Sequence, residues 1–237
     1  MVIFVAKIFS MERVTFYVDG FNLYYGLIRQ MAVDNDWKNF YWIDIVKLFD
    51  HFVQKNQVLQ KVYYFTTPPL NAQKSNRQTI LFEANKLLNG EKFEVVKGKF
   101  YEKSVVCKNC KQITKVPEEK RTDVNISVQM MRDCAKNNTD SLILVTADSD
   151  LVPPLENIRE DHPTKKIKVF FPPQNHSYDL KGFMLANKGN VLRLEAHKIR
   201  FFNSRMPDVV TKDGTSFSIP PEWKAIQTIP LQPITTT

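Results

Sequence analysis

Short apolar, β-branched runs alternate with segments of helical period along most of the chain. That alternation constrains the fold more than any other feature, because it describes an α/β domain built on a mainly parallel sheet. The pattern predicts strands at 14–18, 58–66, 93–101, 142–146 and 167–171, with a short one near 190–194. Helical periods cover 21–30, 43–54, 72–88, 123–136 and 151–160, and a weaker one covers 178–186. Thr122 is the expected N-cap of the helix that follows it, and Asn89-Gly90 the expected stop of the helix before it. The expected architecture is a three-layer α/β/α sandwich.

Open parallel sheets form their sites beyond the carboxyl ends of the strands. Three places in this chain put acid there. Asp19 directly follows Thr15-Phe16-Tyr17-Val18, Asp148 and Asp150 follow Leu142-Ile143-Leu144-Val145-Thr146, and Asp123 opens the helix after the 93–101 strand. An isolated Asp at such a position often caps a turn or helix and does nothing more. Several on one edge repel each other and raise one another's pKa, a penalty that a hard divalent cation such as Mg²⁺ or Mn²⁺ relieves. Three strand-end acidic positions in one chain therefore favour a metal site that handles phosphate. In the chemistry that follows, a metal-activated water attacks a phosphodiester and no covalent nucleophile is required.

Other phosphate and redox chemistries fit less well. A haloacid-dehalogenase-like enzyme needs a second Asp two residues after the first, and Phe21 stands there after Asp19. Asp148-Ser149-Asp150 has that spacing but comes late in the chain. No G-x-G-x-x-G follows a strand and no G-K-[ST] loop exists, so neither dinucleotide nor P-loop chemistry is indicated.

The motifs together resemble the NYN family, in its LabA-like branch of the PIN-like nucleases. Phe16-Tyr17-Val18-Asp19-Gly20-Phe21-Asn22-Leu23-Tyr24-Tyr25-Gly26 is similar to the opening motif. Val62–Thr66 resembles the second strand, Glu119–Asn125 the central acidic motif, and Leu144–Leu151 the motif written S-G-D-S-D-[FL]. Thr146-Ala147 stands where Ser-Gly is commoner, which leaves the carboxylates in place. Val169–Pro173 with Ser177 and Leu180 also fits, and the likeness runs over about residues 12–195. It implies a PIN-like, Rossmann-like α/β/α fold and a ribonuclease that leaves 5′-phosphate and 3′-hydroxyl ends. By position, Asp19, Asp123 and Asp148 are the implied Mg²⁺ or Mn²⁺ ligands, with Asp150 a further catalytic acid. Asn22 is implied to hold Asp19 or touch the scissile phosphate. The resemblance also implies a homodimer. The alternatives are a catalytically silent nucleic-acid-binding module and a DNA-directed nuclease; a partner in a toxin–antitoxin or defence pair is a further expectation.

Lys and Arg exceed Asp and Glu by 33 to 25, a net +8 that favours a polyanionic partner without naming its chemistry. Eight cations between Lys97 and Arg121 concentrate that excess, with Phe100 and Tyr101 among them. Read as a substrate surface, this segment offers Lys120 for a phosphate and Tyr101 as a stacking platform for single-stranded or structured RNA. Read plainly, it is a solvated loop. Arg77 and Lys74 are further candidates for phosphate contact. Cys107 and Cys110 supply half of the four ligands a structural zinc needs. Cys134 and the four His residues are scattered, so zinc there requires a distant His or a second subunit; a pair of surface thiols is the other reading.

An odd count of three Cys excludes a disulfide framework and suits the cytoplasm. The longest apolar run, at residues 2–9, is far short of the roughly 18 residues of a membrane helix and lacks the marks of a signal peptide. Residues 1–10 precede Met11-Glu12-Arg13, which reads as a natural start, so they are taken as an extension or an extra edge strand. Residues 11–200 form the expected nuclease domain, with the basic C-x-x-C insertion at about 97–121. Residues 201–237 read as a Pro-containing tail, in which Trp223 is the piece suited to dock on the body.

Overall fold

The computed structural model describes residues 11–224. In chain order the elements are β1 (Glu12–Asp19), α1 (Gly20–Val33), α2 (Ile45–Asp50), β2 (Gln57–Thr66), α3 (Ala72–Asn89), β3 (Phe93–Lys97), β4 (Lys99–Val106) and β5 (Ile113–Lys120). They continue with α4 (Thr122–Ala135), β6 (Ser141–Val145), α5 (Val152–Asp161), β7 (Lys166–Phe171), α6 (Tyr178–Ala186), β8 (Val191–Arg193), α7 (Lys198–Asn203), β9 (Val209–Lys212) and β10 (Thr215–Ser218). Six of the strands form a parallel sheet in the order β3-β2-β1-β6-β7-β8.

Strand periodicity decides which layer each residue serves. In β1, Val14, Phe16 and Val18 face one core, where Leu23, Leu27, Trp37, Phe49 and Phe82 pack from α1, α2, α3 and the 3-10 turn between α1 and α2. Tyr17 faces the other side, where Ile126, Met130, Leu155, Ile158 and Leu180 of α4, α5 and α6 pack. β6 splits the same way: Ile143 and Val145 face the first core, Leu142 and Leu144 the second. Two faces buried by helices are what a parallel sheet requires. The architecture is thus the α/β/α sandwich anticipated from the period.

The segment expected to run as one strand over 93–101 is broken at Gly98. β3 pairs with β2 in the sheet, whereas β4 leaves it and pairs antiparallel with β5 as a separate hairpin. The cause is crowding: a Cβ at Gly98 would lie 2.4 Å from the Thr67 hydroxyl oxygen, 2.8 Å from a Glu119 carboxylate oxygen and 2.9 Å from the Lys120 carbonyl. The chain bends where only glycine fits.

A second difference lies at α4. Thr122 is its first residue, not its cap; Arg121, with φ 80°, takes the cap position. The Thr122 hydroxyl is instead committed to Glu119.

Beyond α7, β9 and β10 join across Asp213-Gly214, a dipeptide that favours tight hairpins. The hairpin and the following turn Pro221–Trp223 pack on the outer face of α3, around Trp42, Ala84, Met206, Val210 and Ile219. Residues 1–10, with any edge strand there, and the tail after Lys224 lie outside the described residues.

The core depends on close approach at α1. A Cβ at Gly26 would meet the Pro173 carbonyl oxygen at 2.7 Å and the Pro172 ring at 3.1 Å. Gly26→Ala is expected to destabilise the fold by about 1–3 kcal/mol through overpacking, seen as a lower midpoint in thermal unfolding.

Candidate active site

The strand order places a topological switch at the centre of the sheet. From β1 the chain proceeds to β2 on one side and later returns through β6 on the other, so the place where such sheets form a crevice lies beyond the carboxyl ends of β1 and β6. Asp19 ends β1 and Asp148 follows β6, which brings both to that crevice.

Asp19 is almost completely buried, with 2 % of its surface exposed. Three donors satisfy it. The Asn22 backbone N–H donates at 3.0 Å, the Asn22 side-chain amide at 2.5 Å and the Thr146 hydroxyl at 2.8 Å. The first of these caps α1, as Asp at this position commonly does. Asn22 is itself held by Asn175, whose amide donates to it at 2.6 Å. Burial raises the proton affinity of Asp19, and the charge of Asp148 adds to the effect, while the donated hydrogen bonds oppose it.

Asp148 accepts from the Asp150 backbone N–H at 3.0 Å, and its own N–H donates to the Thr146 hydroxyl at 3.1 Å. Thr146 thereby bridges Asp19 and the loop that carries Asp148. The Thr in place of the commoner Ser keeps the hydroxyl that both contacts use. Asp150 lies exposed at the rim.

Asp123 sits at the start of α4, half-buried. Its carboxyl is pushed up to about 6, first by burial and then by the charges of Asp148, Asp19, Glu119 and Asp150. The charges of the other three strand-end carboxylates therefore reach Asp123, and Glu119 joins them. Glu119 accepts from the hydroxyls of Thr67 (3.0 Å) and Thr122, in the niche that Gly98 leaves open. Sequence reading gave it no role, because nothing in its spacing shows that hydroxyls from two separate elements converge on it. The contacts of Asn175 with Asn22 and of Thr67 with Glu119 likewise leave no mark in the local sequence.

The other candidates are spread around this centre. Lys120 is exposed and pairs with Glu118 at 3.0 Å. The Tyr101 hydroxyl accepts from Arg121 at 2.8 Å, and the Arg121 guanidinium lies 5.7 Å from its ring centre. Lys115–Glu102 and Lys103–Glu118 pairs further offset the positive charge of the hairpin. Arg77 and Lys74 lie instead on α3 and line a cavity of about 290 Å³, and Arg77 is paired with Glu222 at 2.6 Å. Cys107 and Cys110 are exposed near the hairpin tip, Cys134 is buried in the core, and among the described residues no third His, Cys, Asp or Glu gathers with the pair.

The profile of the NYN domain matches residues 13–182. This chain belongs to the NYN domain family. The family sits in the PIN-like nuclease superfamily, in agreement with the sheet order and the strand-end acids.

Two similar proteins frame this NYN domain. The 6-hydroxy-3-succinoylpyridine 3-monooxygenase HspA of Pseudomonas putida is 24 % identical over 194 residues, which is 68 % of this chain and 59 % of that protein. The chain thus spans less than two thirds of that relative's length. A crystal structure of a protein of unknown function from Vibrio parahaemolyticus aligns with a TM-score of 0.50 at 19 % identity, covering 78 % of this chain and 94 % of that one. That likeness concerns the fold alone.

The raised pKa of Asp123 has a stability consequence for the metal-free NYN domain. Between its ordinary value of 3.8 and about 6 the folded state binds more protons than the unfolded chain, so stability falls as pH rises through that window. Asp148→Asn removes one repelling charge and keeps an oxygen acceptor. In chelator at pH 7.5 it is expected to raise the unfolding midpoint by roughly 2–4 °C, and by less at pH 4.5, where Asp123 is already protonated.

Proposed function

We propose that this NYN domain hydrolyses RNA phosphodiester bonds with the help of Mg²⁺ or Mn²⁺ held at the strand-end carboxylates. The observation that carries the reading is the gathering of acids at the switch point, whose charges together with burial push Asp123 up to about 6. Among the described residues, no ion pair joins a Lys or Arg to Asp19, Asp123, Asp148 or Asp150. A cluster of hard oxygen donors left without a cationic partner fits a hard divalent cation. Among the described residues no three acids close tightly enough to enclose an ion alone. Such an ion is then held through one or two carboxylates and water, which is how Mg²⁺ is commonly bound.

Asp19, Asp123 and Asp148 would hold the ion, directly or through water, with Asp150 at the rim. When bound, the cation supplies a nucleophilic water at neutral pH and offsets charge on the phosphate. The chain's own part is positional. Asn22 and Thr146 fix the Asp19 carboxylate in one orientation, and Thr146 ties the Asp148 loop to it. Lys120 on the hairpin and Arg77 and Lys74 on α3 would pair with phosphates of the strand on either side of the crevice, and Tyr101 would stack on a base. A dimeric, cytoplasmic enzyme completes this reading, and Cys107 and Cys110 would hold zinc only with ligands from a second copy or another protein. The monooxygenase activity named for the Pseudomonas relative is not carried over, since converging carboxylates suit phosphate chemistry.

The test uses labelled RNA and DNA oligonucleotides with Mg²⁺, Mn²⁺ or EDTA, for the wild-type protein and for Asp148→Asn. The expected result is cleavage of RNA with either metal, leaving 5′-phosphate ends, and none in EDTA. Asp148→Asn is expected to be slower by roughly two orders of magnitude. Cleavage that survives EDTA, or is equal in the variant, overturns the mechanism. Cleavage of DNA alone makes it a DNA nuclease, and absence of any cleavage favours a binding module.

A further inference from the structure

Apart from Lys74 and Arg77 on its wall, the cavity of about 290 Å³ has no part in the hydrolysis described so far. It lies between α1, α3 and the C-terminal turn Pro221–Trp223, and Gly20 on its wall directly follows Asp19. The cavity wall is therefore continuous in the chain with the central carboxylate, and Thr67, the hydroxyl that donates to Glu119, lines it too. We propose that it takes a single unstacked nucleobase of the strand being cut, adjacent to the scissile phosphate.

The lining carries the chemistry of that ligand. Phe21, Tyr24 and Tyr25 of α1 and Trp223 of the turn give aromatic faces. Tyr24 and Tyr25 stay 37 % and 50 % exposed, so their rings are not simply core packing. The Phe21 and Tyr25 rings lie nearly parallel, at 14° and 6.3 Å between centres, and present a broad π surface. Every base has a π face, and stacking on aromatic side chains is how proteins hold bases drawn out of a strand. Gln78 on the same wall adds a side-chain amide, whose NH2 donates to the Thr66 hydroxyl at 3.3 Å and whose oxygen is of the kind that reads the edge of a base. Lys74 adds a cation, which suits a base joined to phosphate and not a purely apolar ligand. The volume lies at the low end for small-ligand sites, which suits one ring system and not a base pair.

The C-terminal turn completes the pocket through charge. Glu222 pairs with Arg77 at 2.6 Å, and the Arg77 side chain is only 18 % exposed. This pair ties the turn that carries Trp223 to α3. Trp223 also approaches Tyr41, with 6.0 Å between ring centres.

The inference rests on the nucleic-acid reading of the site, and its test separates the two. RNA 10-mers carrying one abasic residue at each position in turn are titrated in EDTA and again in Ca²⁺, with affinity read by fluorescence anisotropy. For the wild-type protein, an abasic residue at one or two neighbouring positions is expected to cost roughly tenfold in affinity, with the other positions unaffected. Tyr25→Ala, at a half-exposed position, is expected to bind intact RNA roughly tenfold more weakly and to show a flat abasic profile. Tyr25→Phe, which keeps the ring, is expected to restore the wild-type profile.

A flat profile for the wild-type protein, an unchanged profile in Tyr25→Ala, or no binding of any oligonucleotide overturns the base pocket. A flat profile alongside intact metal-dependent cleavage removes the pocket and leaves the nuclease. A position-specific profile without cleavage removes the nuclease and leaves the pocket.

Discussion

A carboxylate buried at the end of the central strand organises this molecule. Burying an ionised group is costly unless its oxygens are hydrogen-bonded, and Asp19 meets that condition through Asn22 and Thr146. These bonds lock three pieces of chain together: the end of β1, the first turn of α1 and the end of β6. Asn175, arriving after β7, extends the lock through Asn22. The crevice at the switch point is therefore rigid at its base, as a site built on strand ends and not on loops should be.

The electrostatics around that lock are arranged in opposition. Carboxylates from β1 and the β6 loop, with burial, raise the proton affinity of Asp123 on α4, so their gathering is a local liability to the fold. The positive charge of the chain does not relieve it. On the hairpin, Lys103, Lys115 and Lys120 are engaged with Glu102 and Glu118 at the surface, where such pairs contribute little to stability. The net +8 therefore overstates the basic field of the hairpin, and on α3 Arg77 is likewise paired, with Glu222.

Where local pattern and tertiary demand agree, the structure follows the period closely. β6, β7 and α6 fall where the apolar runs put them, because each buries two faces or one clear stripe. Disagreement appears where contacts distant in sequence intervene. Gly98 lies within what reads as one continuous strand, and only the packing of Thr67, Glu119 and the Lys120 carbonyl against it shows why the strand must split. Thr122 looks like a cap until Glu119 claims its hydroxyl. The β9–β10 hairpin had a usable signal in Asp213-Gly214, but its strands are four residues each and carry too little period to register.

The sequence by itself determined the layered α/β class and the acids at the strand ends, because both are written in local order: hydrophobic period, and an Asp immediately after an apolar run. Only the tertiary structure decided which groups serve those acids. Asp19 and Thr146 are 127 residues apart in the chain and 2.8 Å apart in space, and Glu119 meets Thr67 across 52 residues. The aromatic cavity is likewise assembled from α1, α3 and a turn near residue 223. Contacts of that range depend on how layers stack and where a strand breaks, and no window of local sequence contains that information.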